Sequence, residues 1–193
     1  MNSIQNSEQI CNGGFTMVLE TERLYLRALC LSDYASLCKI LQDKDVMYAY
    51  EHAFSDTEVE AWLQNQLRRY RENGFGLWAV ILKENEELIG QCGLTLQDTP
   101  HGEVLEIGYL FQKAYWHKGY ATEAARACKT YAFETLGAGE VYSIIRENNF
   151  ASRRVAERNG MTAKGSFVKQ YYGFQMPHIL YSVKNEIQHK SCQ

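Results

Sequence analysis

The stretch from Glu103 to Leu136 constrains the fold more than any other part of the chain. Val104, Glu106 and Gly108 alternate with Leu105, Ile107 and Tyr109, which is the two-residue period of a strand. From Tyr120 onward, Ala121, Ala124, Ala125, Cys128, Ala132 and Leu136 recur at helical spacing, and Gly137 supplies a stop. Between them lies an aromatic and basic loop, Trp116-His117-Lys118-Gly119-Tyr120-Ala121. A strand that enters a helix through a glycine-bearing loop leaves the first helical N–H groups without carbonyl partners. The helix dipole adds partial positive charge at that end, so the terminus suits a phosphate. Residues 111–130 carry Lys113, Lys118, Arg126 and Lys129 against Glu123 alone, in a chain of formal net charge -3. The stretch predicts a pyrophosphate cradle. A pure packing role for Gly119 is the alternative, because neither a P-loop nor a GxGxxG pattern occurs.

A chain of 193 residues fits one domain with a full hydrophobic core, and here that domain is expected to span residues 17–185. Residues 1–16 are polar and read as a flexible extension, and residues 186–193 as a short tail. A pI near 6.0 argues against a nucleic-acid binder driven by bulk charge. No apolar run is long enough to span a bilayer, and the first residues lack the basic and apolar regions of a secretion signal. The six cysteines form no CxxC pair and no Cys/His ligand set, so no metal site is predicted. They read as reduced thiols of a cytoplasmic protein.

The remaining elements follow from period and punctuation. Arg23–Arg27 alternates as a short strand, and Ser32 is placed to cap a helix whose stripe is Tyr34, Leu37, Cys38 and Leu41. Ser55 and Glu58 form a capping box for a helix that buries Val59, Trp62, Leu63, Leu67 and Tyr70 and stops at Asn73-Gly74. Arg68, Arg69 and Arg71 suit the negative pole of that helix. Leu77–Lys83 and Leu88–Gln97 read as a hairpin, followed by the central strand. Val141–Ile145 is a further strand, residues 146–160 contain a short helix, and two strands near Ala163–Tyr172 and His178–Val183 close the sheet. The order predicts an α/β (α+β) fold, a mixed and mostly antiparallel sheet of six to seven strands with helices on both faces. It is not a regular doubly wound repeat.

Four local patterns, in order, resemble the GCN5-related N-acetyltransferase (GNAT) family and within it the RimJ/RimL-type branch. Leu19-Glu20-Thr21-Glu22-Arg23-Leu24-Tyr25-Leu26-Arg27 is similar to LxTERLxLR, and Glu106-Ile107-Gly108-Tyr109 to EIGY. Trp116–Ala124 is similar to WGKGYATEA, and Asn149–Met161 to NxxSxRVxEKxGF. Together they span residues 19 to 161. The resemblance implies acetyl-coenzyme A as co-substrate, wedged where the fourth and fifth predicted strands part. Its pyrophosphate would rest on the amides of His117, Lys118, Gly119, Tyr120, Ala121 and Thr122, and its pantetheine arm along Tyr109, Leu110 and Phe111. Lys118 and Arg154 are candidates for outer phosphate contacts, with surface solvation as the alternative. His117 stands where the branch has glycine, which alters the bend of the loop. Ala156 stands where the family often has a tyrosine that serves as the acid for the departing thiolate.

An amine must be unprotonated to attack a thioester, so Glu106 is the candidate base. Its alternative role is a strand carboxylate paired with an arginine. Ser152 is the candidate donor to the departing thiolate, and its alternative role is a helix N-cap. Asn149 would orient the pantetheine amides or the acceptor, with a turn residue as its alternative role. Direct transfer in a ternary complex is expected. The acceptor would be bounded by Met47–Phe54, the helix of residues 55–72, and Tyr171, Tyr172 and His178. These surroundings are aromatic and hold no acidic cluster, as a polycationic amine would need. The expected acceptor is a peptide N-terminus of ribosomal-protein type, or a small amine. A coenzyme A-binding regulatory module without turnover and a nucleotide- or RNA-binding domain are the rival classes. Neither a membrane nor a nucleic acid is an expected partner, and monomer and homodimer are both open.

Overall fold

Leu24 and Leu26 are fully buried on one side of a strand, while Tyr25 between them packs into a separate apolar layer on the other side. The neighbouring strand repeats the pattern: Trp78, Val80 and Leu82 join the first layer, and Ala79 and Ile81 the second. Burial of each large side chain contributes roughly 1.5–3 kcal/mol, so a sheet apolar on both faces must be covered twice. The computed structural model describes residues 17–171 and 173–186. The expected extension of residues 1–16, Tyr172 and residues 187–193 of the expected tail lie outside that range.

The strands are β1 (Met17–Glu20), β2 (Leu24–Arg27), β3 (Leu77–Leu82), β4 (Glu87–Thr99), β5 (Gly102–Phe111), β6 (Glu140–Arg146), β7 (Thr162–Tyr171) and β8 (Phe174–Lys184). They form one sheet in the order β1-β2-β3-β4-β5-β6-β8-β7. All neighbours are antiparallel except β5 and β6, which are parallel. Helices α1 (Tyr34–Leu41) and α2 (Asp56–Asn73) cover one face, and α3 (Tyr120–Glu134) and α4 (Phe150–Arg158) the other. The buried residues of α3 are Ala124, Ala125, Cys128 and Ala132, and such small side chains let the helix approach the sheet closely.

The sheet has eight strands where six to seven are expected from the sequence. The extra one is β1, four residues too short to declare a period, which exists because Met17, Leu19 and Glu20 pair with β2. Ser32 does not cap α1. It lies inside a tight helical turn, Leu31–Asp33, and Asp33 is the N-cap residue. The Asp33 carboxylate accepts from both Arg27 guanidinium nitrogens at 2.7 and 2.8 Å and from the Cys30 N–H at 2.9 Å. The Ser55–Glu58 capping box of α2 is present, and Gly74 ends that helix at φ 79°.

Arg27 and Asp33 are 7% and 6% exposed, so removing one charge strands the other away from water. Asp33→Ala is expected to lower unfolding free energy by about 3–5 kcal/mol. Urea denaturation checks this, and a loss below about 1 kcal/mol would show that the pair does not secure the entry to α1.

Candidate active site

Strands β5 and β6 share a single registered pair, Glu106 with Tyr142, and then part. Two side chains occupy backbone groups that a longer ladder would have paired. Ser143 Oγ donates to the Ile107 carbonyl at 2.9 Å, and the Ile144 N–H donates to Glu106 Oε1 at 3.2 Å. Thr95 Oγ1 donates to the other carboxylate oxygen, also at 3.2 Å. The fork opens into a cavity of about 730 Å³ lined by Glu106 and by residues 107–111 of β5. That volume suits a ligand cleft.

Glu106 titrates above the ordinary carboxylate value, foremost because burial disfavours its charge. Lys169, the Ile144 amide, the Thr95 hydroxyl and Arg69 pull the other way. Among the described residues no lysine or arginine nitrogen lies within ion-pair distance of it, so the arginine-paired alternative does not hold.

At one end of the cavity stands the start of α3. The amides of residues 117–122 donate to no protein acceptor among the described residues; the first bond of the helix is Glu123 N–H to the Gly119 carbonyl at 3.1 Å. Gly119 is left-handed at φ 85°, and His117 also takes a left-handed φ of 61°. Glycine enters that region without a Cβ penalty, so His117 holds the bend at some strain. The Trp116 indole donates to the Phe111 carbonyl at 2.9 Å and fixes the loop to the end of β5.

The single acid of this helix start is occupied. Glu123 accepts from Thr21 Oγ1 at 2.7 Å, from the Arg23 N–H at 2.9 Å and from Arg23 Nε at 2.7 Å. Burial alone would raise its pKa, but these bonds outweigh burial and hold it below the ordinary value. Arg23 also donates to the Lys118 carbonyl at 3.0 Å and lies 4.5 Å from the Tyr120 ring centroid.

A second part of the lining is aromatic. Tyr48, Tyr50, Phe54, Trp62, Tyr171 and His178 form it, with Tyr50 edge-on to Phe54, Trp62 and Tyr171 at centroid distances of 6.0, 5.9 and 6.3 Å. Glu51 is paired with Arg146 at 2.5 Å, and Arg146 also donates to the Tyr48 carbonyl at 2.6 Å, which ties this segment to β6. His178 Nδ1 lies 2.9 Å from the Met176 carbonyl, which can only accept, so Nδ1 carries the proton. Burial foremost lowers the His178 pKa, so the ring is neutral near pH 7.

A family model of the acetyltransferase (GNAT) domain matches residues 23–162. The chain belongs to the GNAT family. It is 38% identical over 144 residues to the uncharacterized protein YkkB of Bacillus subtilis, covering 74% of this chain and 84% of that one. It is 30% identical to the FsC-acetyl coenzyme A-N(2)-transacetylase of Aspergillus fumigatus, covering 87% of this chain and 76% of that one. The crystal structure of a GNAT acetyltransferase from Bacillus anthracis superposes with TM-score 0.76 at 26% identity, covering 87% of this chain and 98% of that one. This GNAT protein is therefore an acetyltransferase that uses acetyl-coenzyme A and an amine.

The cavity of this GNAT enzyme gathers most of the residues singled out in the sequence. Glu106, Tyr109, Leu110, Phe111, His117, Gly119, Tyr120, Ala121, Thr122, Asn149, Ser152 and Arg154 all line it. Lys118 does not; its ammonium sits 5.1 Å from the Tyr115 ring centroid. The other basic residues of the stretch are also engaged or placed elsewhere. Lys113 pairs with Asp45, Lys129 donates to the Asn159 carbonyl at 2.8 Å, and Arg126 is exposed outside the cavity. Positive charge comes instead from α4, where Arg158, one turn beyond Arg154, also lines the cavity. Their four-residue spacing was the available signal. Ser152 is not the N-cap of α4. Asn149 is, accepting the Ser152 N–H at 3.0 Å. The Tyr109 hydroxyl donates to the Ser152 carbonyl at 2.8 Å. Ala156 is buried in the core, so that position presents no donor to the cavity.

A Cβ added at Gly119 would meet Arg23 Nη2 at 3.4 Å and force a left-handed conformation on an L side chain. Gly119→Ala is expected to strain the cradle by about 1–2 kcal/mol and weaken acetyl-coenzyme A binding about tenfold. Calorimetric titration measures this, and unchanged affinity would show that Gly119 serves packing alone.

Proposed function

We propose that the chain transfers the acetyl group of acetyl-coenzyme A to the primary amine of a peptide or protein N-terminus, by direct attack in a ternary complex. The observation that carries this reading is Glu106, half-buried at the β5/β6 fork in a cavity lined by aromatic side chains and by a helix start with unused amides. Acetyl-coenzyme A, when bound, supplies the activated thioester. The residues fit it: the amides of residues 117–122, with Arg154 and Arg158, would hold the pyrophosphate, and the free edge of β5 beyond Glu106 would take the pantetheine amides. Glu106 accepts the proton of the incoming amine, directly or through one water. The Ser152 hydroxyl makes no hydrogen bond among the described residues and stands on the cavity wall, where it donates to the leaving sulfur. Tyr48, Tyr50, Trp62 and Tyr171 bound the acceptor.

Similarity of the four sequence motifs to the RimJ/RimL-type branch supports the N-terminal acceptor. A second reading, acetylation of a small amine, is favoured by similarity to the FsC-acetyl coenzyme A-N(2)-transacetylase of Aspergillus fumigatus. Thiol release from acetyl-coenzyme A against a panel of N-terminal peptides and small amines separates them. Turnover confined to peptides supports the first reading, and turnover confined to small amines overturns it.

Glu106→Gln is expected to lower kcat about 100-fold or more and to abolish the acid limb of the kcat/KM pH profile. Because its native pKa is raised, the carboxyl contributes stability below the ordinary carboxylate value, and that contribution is lost as pH rises through the native value. The variant should therefore be at least as stable as the parent at pH 7.5, with the difference shrinking toward pH 4. Thermal melts at both pH values check the sign. An unchanged kcat would remove Glu106 from the mechanism.

A further inference from the structure

Charge at the acceptor end does not balance. Arg69 and Lys169 both line the cavity, on α2 and β7, and both are half-buried. Neither has a carboxylate within ion-pair distance among the described residues. Among the described residues the one hydrogen bond of Arg69 is a long contact of 3.4 Å to Gln66 Oε1. Its position near the end of α2 is explained by the helix dipole in the sequence, yet Arg68 and Arg69 diverge in the fold. Arg68 turns to solvent and pairs with Glu72, whereas Arg69 turns inward. Arg146, the third cation lining this region, is neutralised by Glu51. Among the described residues Glu106 is the only acid on the cavity wall, and it serves the fork by accepting from Ile144 and Thr95.

Arg69 and Lys169 share a single nearby carboxylate, Glu106, which acts on both at longer range than an ion pair. Two half-buried cations on one acid leave an excess of positive charge, and cations held in a cleft raise the local concentration of anions. An acceptor whose only charge is an ammonium would meet two like charges on entry.

We infer that the acceptor carries a carboxylate close to its amine, and that Arg69 and Lys169 dock this carboxylate while the aromatic wall holds the rest. The inference rests on the acetyl-transfer reading and adds the chemical class of the acceptor. Two sources share that chemistry: a free amino acid, and a peptide with an acidic residue next to its N-terminus. The two cations serve a second purpose in this arrangement. They disfavour a further positive charge beside them, so the docked amine loses its proton more readily. Polyamines and other polycationic amines are excluded on the same ground.

The test uses matched pairs that differ only in the anion, with the full chain and saturating acetyl-coenzyme A. The pairs are phenylalanine against phenylalaninamide, and Ser-Glu-Gly-Gly-amide against Ser-Gln-Gly-Gly-amide. The anionic member of at least one pair is expected to show about tenfold higher kcat/KM or more, through KM. Whichever pair shows this names the source. Arg69→Gln with Lys169→Gln should remove the preference, and Arg69→Glu should invert it, each with acetyl-coenzyme A affinity retained as the control for folding. Calorimetric titration of N-acetylphenylalanine against its amide gives the same comparison without turnover. Equal kcat/KM within both pairs, with thiol release present, overturns the inference and leaves the acetyl-transfer reading intact. No release from any amine, with acetyl-coenzyme A bound, overturns the transfer reading itself. Equal affinity for the two acetylated products then overturns the inference as well.

Discussion

Two side chains keep the β5 and β6 backbones apart, and the shape of the molecule depends on them. Parallel neighbours ordinarily continue their ladder, because an unpaired buried N–H or C=O is expensive. Here Ser143 takes the Ile107 carbonyl and Glu106 takes the Ile144 N–H, so separation leaves neither group orphaned. One half of the sheet, β1 to β5, then continues as an antiparallel ladder, while beyond the fork β6 continues with β8 and β7. The cavity is the space between these halves. Glu106 is thus a structural ligand of the fork and the acid nearest the proposed chemistry, and burial at the fork is what raises its pKa.

A second interaction ties the beginning of the described chain to the cradle. Thr21 and Arg23 lie in the turn between β1 and β2, and Glu123 lies 100 residues beyond Arg23 on the first turn of α3. Their bonds neutralise an acid that would otherwise face an incoming phosphate, and they place the Arg23 guanidinium against the Lys118 carbonyl and the Tyr120 ring. The Thr-Glu-Arg-Leu motif of the opening strand therefore has a physical reason at the opposite end of the sequence. That reason is invisible until the strand lies beside the helix.

Most elements were legible because their signals are local. The period of Val104–Tyr109, the small-residue stripe of α3, the Ser55–Glu58 box and the stop at Gly74 all follow from neighbours within one or two turns. The errors were made where a distant partner decides. Met17–Glu20 is a strand only because β2 offers an edge. Asp33 rather than Ser32 opens α1 because Arg27, on β2, needs a buried counter-charge. Of the two roles the sequence leaves open to the Lys118 side chain, the fold shows its ammonium over the Tyr115 ring, a contact that no local signal specifies because a lysine stem bends freely. Arg158 and the inward turn of Arg69 carried no sequence signal beyond helical spacing.

The sequence by itself determined the order of the elements, the strand–loop–helix whose first amides lack carbonyl partners, and membership of the GNAT family, because periodicity, glycine and motif spacing are properties of contiguous residues. Tertiary structure alone decided which charges face the cavity. Of the basic residues between 111 and 130, Lys113 and Lys129 were drawn to Asp45 and the Asn159 carbonyl, while Arg69, Arg154, Arg158 and Lys169 from three other elements converged on the site. Convergence of that kind depends on how α2, α4 and β7 pack about the parted strands, and packing between distant segments is written in no single stretch of the chain.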